Sequence, residues 1–188
     1  MRNLVLFMHT SLDGFVTDSS GGMSWISVDE EMFEYAGHQT DKSDTALYGR
    51  VTWQMMDDYW PDAGEKPNAG THDKQHSAWY NQVEKIVISK TLHDINKPNT
   101  RFISENVALE IKNLKRKKGN DIVVFGSPGL SHFLMEEDLI DEYWLFVNPV
   151  LLGKGTPLFN SVPQPVNLVL LESAFFTTGV IGLHYEKK

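Results

Sequence analysis

A chain of 188 residues with 41% apolar side chains can build one large core, so a single domain over residues 1–188 is expected. It has no cysteine, which removes disulfides, thiolate metal sites and cysteine nucleophiles and fits a cytoplasmic setting. A net charge of −8 argues against a general nucleic-acid binder, and the apolar stretch ending at Met8 is too short for a secretory core or a membrane span.

Asn3 to Met8 reads as a strand buried at Val5 to Phe7, leading into the turn-forming stretch His9 to Val16 with its single acid, Asp13. Ser19-Ser20-Gly21-Gly22 is a flexible loop. Ser27-Val28-Asp29-Glu30 matches a capping box and predicts a helix to about Thr40, with Met32, Phe33 and Ala36 on its apolar face. Asp44 to Tyr48 is a second strand ending at Gly49, and Arg50 to Met56 a short helix. Residues 57–72 are rich in Asp, Gly and Pro and read as a long surface loop, a candidate lid. A helix over His72 to Gln82, with Trp79 facing inward, precedes strands at Glu84 to Ser89 and Arg101 to Ile103.

Asn106 to Lys118 is an amphipathic helix with Val107, Ile111 and Leu114 on one face; the basic run Lys115-Arg116-Lys117-Lys118 suits its C-terminal end. Ile122 to Phe125 is a buried strand. It feeds a helix to about Glu136 through Gly126-Ser127-Pro128-Gly129, where Ser127 suits a cap and Pro128 a first turn. A strand over Glu142 to Val150, a glycine-rich loop over 151–159 and a hairpin of Val166–Phe176 with Val180–Tyr185 close the chain. Alternating strands and helices over the first 135 residues predict an α/β fold with a mostly parallel sheet, and the helix-free end predicts antiparallel C-terminal strands.

Ligands of open α/β sheets bind at the carboxyl ends of strands. Polar donors collect there: Gly49, Arg50 and Thr52; Ser89, Lys90 and Thr91; and the helix start at Gly126 to Leu130, whose bare N–H groups attract phosphate. Together they suit a ligand with several phosphates. The histidines His9, His38, His72 and His76 have no metal-ligand spacing; His72 and His76 share a helix face and read as surface residues, so no metal is expected.

In order along the chain, Ser11-Leu12-Asp13-Gly14-Phe15, Leu47-Tyr48-Gly49-Arg50-Val51-Thr52-Trp53, Ile88-Ser89-Lys90-Thr91-Leu92, Val124-Phe125-Gly126-Ser127-Pro128-Gly129-Leu130 and Asn148 to Phe159 form a set of landmarks. The chain resembles the dihydrofolate-reductase-like superfamily. Within it, the resemblance is closest to the C-terminal reductase domain of the bifunctional riboflavin-biosynthesis deaminase-reductase, in a free-standing form. This implies a three-layer α/β/α fold and NADPH as cofactor. Gly49, Arg50 and Thr52 would line the cofactor, with Arg50 near the 2′-phosphate and Ser89, Lys90 and Thr91 near the same end. The turn Gly126, Ser127, Pro128, Gly129 and Leu130 would hold the pyrophosphate. Dihydrofolate reductases carry two adjacent glycines in this turn, whereas this chain has Gly126 and Ser127, which requires a normal φ at Ser127 or some strain.

Hydride transfer to a C=N carbon needs an orienting or protonating group. Asp13 in its strand-end loop is the leading acid, although Asp-Gly is also a turn signal. Glu30 lies five residues beyond Trp25, as in dihydrofolate reductases, but also suits a capping box. Trp25 is a candidate to pack on a substrate ring, and Lys154 is the best-placed partner for a substrate phosphate. The expected activity is NADPH-dependent reduction of a pyrimidine- or pteridine-like heterocycle by a homodimer. The alternative is a catalytically inactive NADP(H)-binding protein that serves as a sensor or partner.

Overall fold

A computed structural model describes residues 1–92, 95–160 and 162–188. Strand β1 (Leu4–Ser11) and the short β2 (Phe15–Thr17) are followed by α1 (Glu30–Lys42), β3 (Ser43–Gly49), α2 (Arg50–Ala63) and α3 (Thr71–Gln82). Then come β4 (Glu84–Ile88), β5 (Thr100–Ile103), α4 (Val107–Arg116), β6 (Asp121–Phe125) and α5 (Pro128–Glu136). The chain ends with β7 (Glu142–Asn148), β8 (Thr156–Pro157), β9 (Leu168–Phe175) and β10 (Ile181–Lys187).

Eight strands form one sheet in the order β5-β4-β3-β6-β1-β7-β10-β9. The six from β5 to β7 run parallel, β10 is antiparallel to β7, and β9 is antiparallel to β10. The sequence places the antiparallel switch at the last three strands. The structure narrows it, because β7 joins the parallel set beside β1 and the hairpin folds back so that β10 inserts between β7 and β9.

Side chains alternate across the sheet, so each strand feeds two cores. Leu4, Leu6 and Met8 of β1 join Leu47, Ile122 and Val124 under α4 and α5, through Ile111, Leu114, Leu134 and Met135. On the opposite face, Ala46, Tyr48, Val87, Val123 and Phe125 pack with Trp53 of α2 and Tyr80 of α3. Val5, Trp144 and Phe146 pack with Met32 and Tyr35 of α1. Phe7 touches both of the latter groups. The result is a three-layer α/β/α arrangement with α1, α2 and α3 on the face that carries the cleft. Among the described residues no helix is long and apolar enough to cross a membrane.

Three local expectations change. The N-cap of α1 is Asp29, whose carboxylate accepts Met32 N at 2.8 Å, rather than Ser27. The Ser27 N–H is instead committed to Asn148 Oδ1 at 2.9 Å. Most of the expected 57–72 loop is helix, because α2 continues to Ala63 with Pro61 inside it. Trp60 secures that extension, since its indole N–H reaches Met56 Sδ at 3.0 Å one turn earlier, and the Pro61 carbonyl accepts Asn81 Nδ2 at 2.9 Å. The 151–159 loop contains β8, paired with β2. There Gly155, at φ 150, passes so close to Thr17 that an added Cβ would lie 1.9 Å from its carbonyl oxygen.

Candidate functional site

A cleft of about 750 Å³ opens at the carboxyl ends of β3, β6 and β1, walled by α1, α2 and α3. Its floor is aromatic. Phe7 and Phe125 are register partners on β1 and β6 with ring centroids 5.2 Å apart, and His9, two residues beyond Phe7, stacks on Phe146 of β7 at 5.0 Å. From α3, His76 packs against Trp60 at 4.1 Å, and His72 lies parallel to Phe33 of α1 at 3.9 Å.

One edge of the cleft is made by two helix starts, α2 after Gly49 and α5 after Ser127. Neither carries a side-chain cap or an acid in its first turn. Helices α1, α3 and α4 each have an acid there. An uncapped helix start leaves N–H donors unsatisfied and the positive end of its dipole uncompensated, which favours an anion. Pro128 opens α5, where its missing N–H costs nothing, and among the described residues the Gly129 and Leu130 N–H groups that follow have no side-chain cap.

Ser127 does not cap α5, contrary to expectation. It adopts φ 56 in the left-handed region, directly after Gly126 at φ 54. Its hydroxyl donates to Phe125 O at 3.1 Å and accepts Gly49 N at 2.9 Å. The strained serine therefore ties one helix start to the other. Arg50 stands at the mouth, exposed, with Nη1 3.1 Å from Gln54 Oε1.

The cleft thus brings together Gly49, Arg50, Thr52, Gly126, Ser127, Pro128, Gly129 and Leu130. It does not include Ser89, Lys90 or Thr91. The Ser89 hydroxyl accepts Thr91 N at 3.2 Å and Leu92 N at 2.9 Å, closing a local turn. Asp13, Glu30, Trp25 and Lys154 also lie outside the cleft lining. Asp13 accepts Ser11 Oγ at 2.7 Å, Gly153 N at 2.7 Å and Leu152 N at 3.1 Å, and these bonds hold its carboxyl below the usual range while it secures the glycine-rich loop. Glu30 is exposed in the first turn of α1, the Trp25 indole donates to Gly22 O at 3.3 Å, and Lys154 is exposed.

Sequence reasoning passed over the three histidines that do line the cleft, His9, His72 and His76. Burial lowers the pKa of His9 to about 4. Burial, reinforced by neighbouring His72, lowers that of His76 to about 3, and burial also lowers His72. All three rings are neutral at pH 7. Among the described residues no carboxylate lines the cleft, and Arg50 carries its one fixed charge. The four-residue spacing of His72 and His76 is the visible signal: it puts both on one face of α3, which is not the surface face expected but a wall of the cleft, packed on Phe33 and Trp60.

The model of the RibD C-terminal domain family matches residues 2–181. The uncharacterised protein YyaP of Bacillus subtilis (strain 168) is 32% identical over 187 residues, covering 98% of this chain and 94% of YyaP. Among solved structures, a pyrimidine reductase-like protein from Corynebacterium diphtheriae is 13% identical, with a TM-score of 0.71 over 100% of this chain and 92% of that one. A diaminohydroxyphosphoribosylaminopyrimidine deaminase/5-amino-6-(5-phosphoribosylamino)uracil reductase from Thermotoga maritima is 15% identical, with a TM-score of 0.68. That match covers 100% of this chain and 57% of the other. At these identities the two structures speak to the fold.

Proposed function

Because the chain belongs to the RibD C-terminal domain family, we propose that its cleft holds NADPH and reduces a C=N group of a pyrimidine- or pteridine-like heterocycle. The observation that carries this reading is the pair of uncapped, acid-free helix starts, tied together by Ser127 and flanked by Arg50. The N–H groups of Gly129 and Leu130 would hold the pyrophosphate, and Arg50 the 2′-phosphate that distinguishes NADPH from NADH. Open space beside Gly129, where an added Cβ meets nothing within 4 Å, leaves room for close approach.

Bound NADPH would supply a hydride, which with one proton converts C=N into CH–NH. The protein orients the two rings along the aromatic floor of Phe7 and Phe125 and keeps water from their faces. No carboxylate lines the cleft among the described residues, so a proton for nitrogen would reach the ring edge through the open mouth of the cleft rather than from an acid in its wall. The same feature favours a second reading, an NADP(H)-binding protein without turnover that acts as a sensor. Among the described residues the outer edge of β9 has no strand partner, and the strand exposes Leu168, Leu170, Leu171 and Phe175, a surface on which a second copy would pair to give a homodimer.

Oxidation of NADPH, followed with a panel of pterins and the ribosylaminopyrimidine, tests the reductase. Turnover of any of them supports it. Tight NADPH binding without turnover supports the sensor, and lack of NADPH binding defeats both.

A further inference from the structure

The cleft has two halves. The phosphate-seeking edge lies at the ends of β3 and β6. The other half lies toward β1 and β7 under α1, where Phe7, Met23, Ile26, Met32, Phe33 and His9 face the opening. Resting on the NADPH reading above, we infer that this second half receives a flat, uncharged heteroaromatic ring without a phosphate group, and that His9 recognises it by donating a hydrogen bond from Nε2.

The first ground is charge. Arg50 is the one fixed cation in the lining among the described residues, and it belongs to the start of α2, on the cofactor side. Lys154, the basic side chain the sequence offers for a substrate phosphate, does not reach the cleft, and Lys90, expected at the cofactor, is likewise exposed outside its lining. The three histidines contribute no positive charge at neutral pH because burial keeps them unprotonated. A phosphate on the β1 side would lose its hydration against methionine and phenylalanine side chains with no counter-ion, a strongly unfavourable exchange. A flat neutral ring gains contact with the same walls.

The second ground is the orientation of His9. Asn148 is buried and fixed by its own bonds, because Oδ1 accepts Ser27 N at 2.9 Å while Nδ2 donates to Phe146 O at 3.1 Å and Thr10 O at 3.3 Å. That same Nδ2 stands 3.5 Å from His9 Nδ1. An amide NH₂ cannot accept, so a proton on Nδ1 would point at another donor. The neutral ring therefore carries its proton on Nε2, which has no hydrogen-bond partner among the described residues. Stacking on Phe146 holds the ring in place. His9 is thus a fixed donor in an otherwise apolar half-cleft, suited to a ring carbonyl or an unprotonated ring nitrogen.

The test is calorimetric titration of the full chain, with and without NADPH, using lumazine and a ribosylaminopyrimidine prepared with and without its 5′-phosphate. Lumazine is expected to bind, and the phosphorylated pyrimidine is expected to bind no more tightly than its dephosphorylated twin. Tighter binding of the phosphorylated form, or no binding of lumazine, overturns the inference. His9→Ala should weaken lumazine at least tenfold with NADPH affinity unchanged, and His9→Gln, which keeps an N–H donor, should recover most of the loss. Unchanged lumazine affinity in His9→Ala, or no recovery in His9→Gln, removes His9 from recognition. Failure of the wild-type protein to bind NADPH would count against the cofactor reading, and the ring titrations of the cofactor-free protein would still decide this one.

Discussion

The hydroxyl of Ser127 accepts the backbone N–H of Gly49 at 2.9 Å, so the residues that immediately precede α5 and α2 are bonded to each other. The bond holds two positively polarised helix ends at one edge of the cleft. It also offsets the left-handed backbone of Ser127, which costs a non-glycine residue about 1–2 kcal/mol. Ser127→Ala keeps that cost and leaves the Gly49 N–H without its partner. It should lower stability by about 1–2 kcal/mol in denaturant unfolding and weaken NADPH several-fold. Unaltered stability and affinity would mean the bond contributes nothing to the site.

Stability should fall as pH drops from 6.5 toward 4, through the cleft histidines. The folded-state values of His9, about 4, and His76, about 3, lie below the unfolded value of 6.5, so the unfolded chain binds the proton first. Protonation then favours unfolding. For His9 alone the shift is on the order of 3 kcal/mol once pH has fallen through the window. Unfolding curves of His9→Gln and His76→Gln should have shallower pH dependence than wild type between pH 6.5 and 4. Parallel curves would show that neither ring is desolvated.

Asp13 should act on its loop rather than on chemistry. Its carboxylate accepts the Ser11 hydroxyl and the N–H groups of Gly153 and Leu152, and these bonds, that from Ser11 first, hold its pKa below the ordinary value. The loop is therefore held at neutral pH and released as acid protonates Asp13. Asp13→Ala should speed hydrogen exchange at residues 151–153 and leave NADPH affinity within twofold. A collapse of turnover with unchanged loop exchange would return Asp13 to the reaction.

Sedimentation should give a homodimer. Leu170 and Leu171 of β9 are each about half exposed and Phe175 is 75% exposed, on a strand whose outer edge is unpaired among the described residues. Leu171→Lys with Phe175→Lys should give a monomer of unchanged fold. A wild-type monomer at micromolar concentration would leave this face without a second copy.

The sheet was legible because its strands are short apolar runs bounded by turns, as at Val5–Phe7 and Ile122–Phe125, and the donors at Gly49–Thr52 and Gly126–Leu130 were legible from their place after those strands. The second half of α2 was not. Asp57, Asp58, Pro61 and Asp62 look like a loop, and only packing by Trp60 and Ala63 makes them helix. The aromatic floor was hidden for another reason. Phe7 and Phe125 have the pattern of core residues, and nothing local shows that α1, α2 and α3 leave a gap above them. Likewise, α3 is polar on most of its surface, so its sequence does not separate the face that carries His72 and His76 from the solvent face.

The α2 and α5 starts, with Arg50, are proposed as the phosphate seat of NADPH. Parallel calorimetric titrations of NADPH and NADH into wild type and Arg50→Ala decide this assignment. Wild type should bind NADPH more tightly than NADH. Arg50→Ala should lose at least tenfold in NADPH affinity, about 1.4 kcal/mol or more, while NADH changes by less than twofold. Equal losses for the two nucleotides, or no binding of NADPH to wild type, would contradict the assignment.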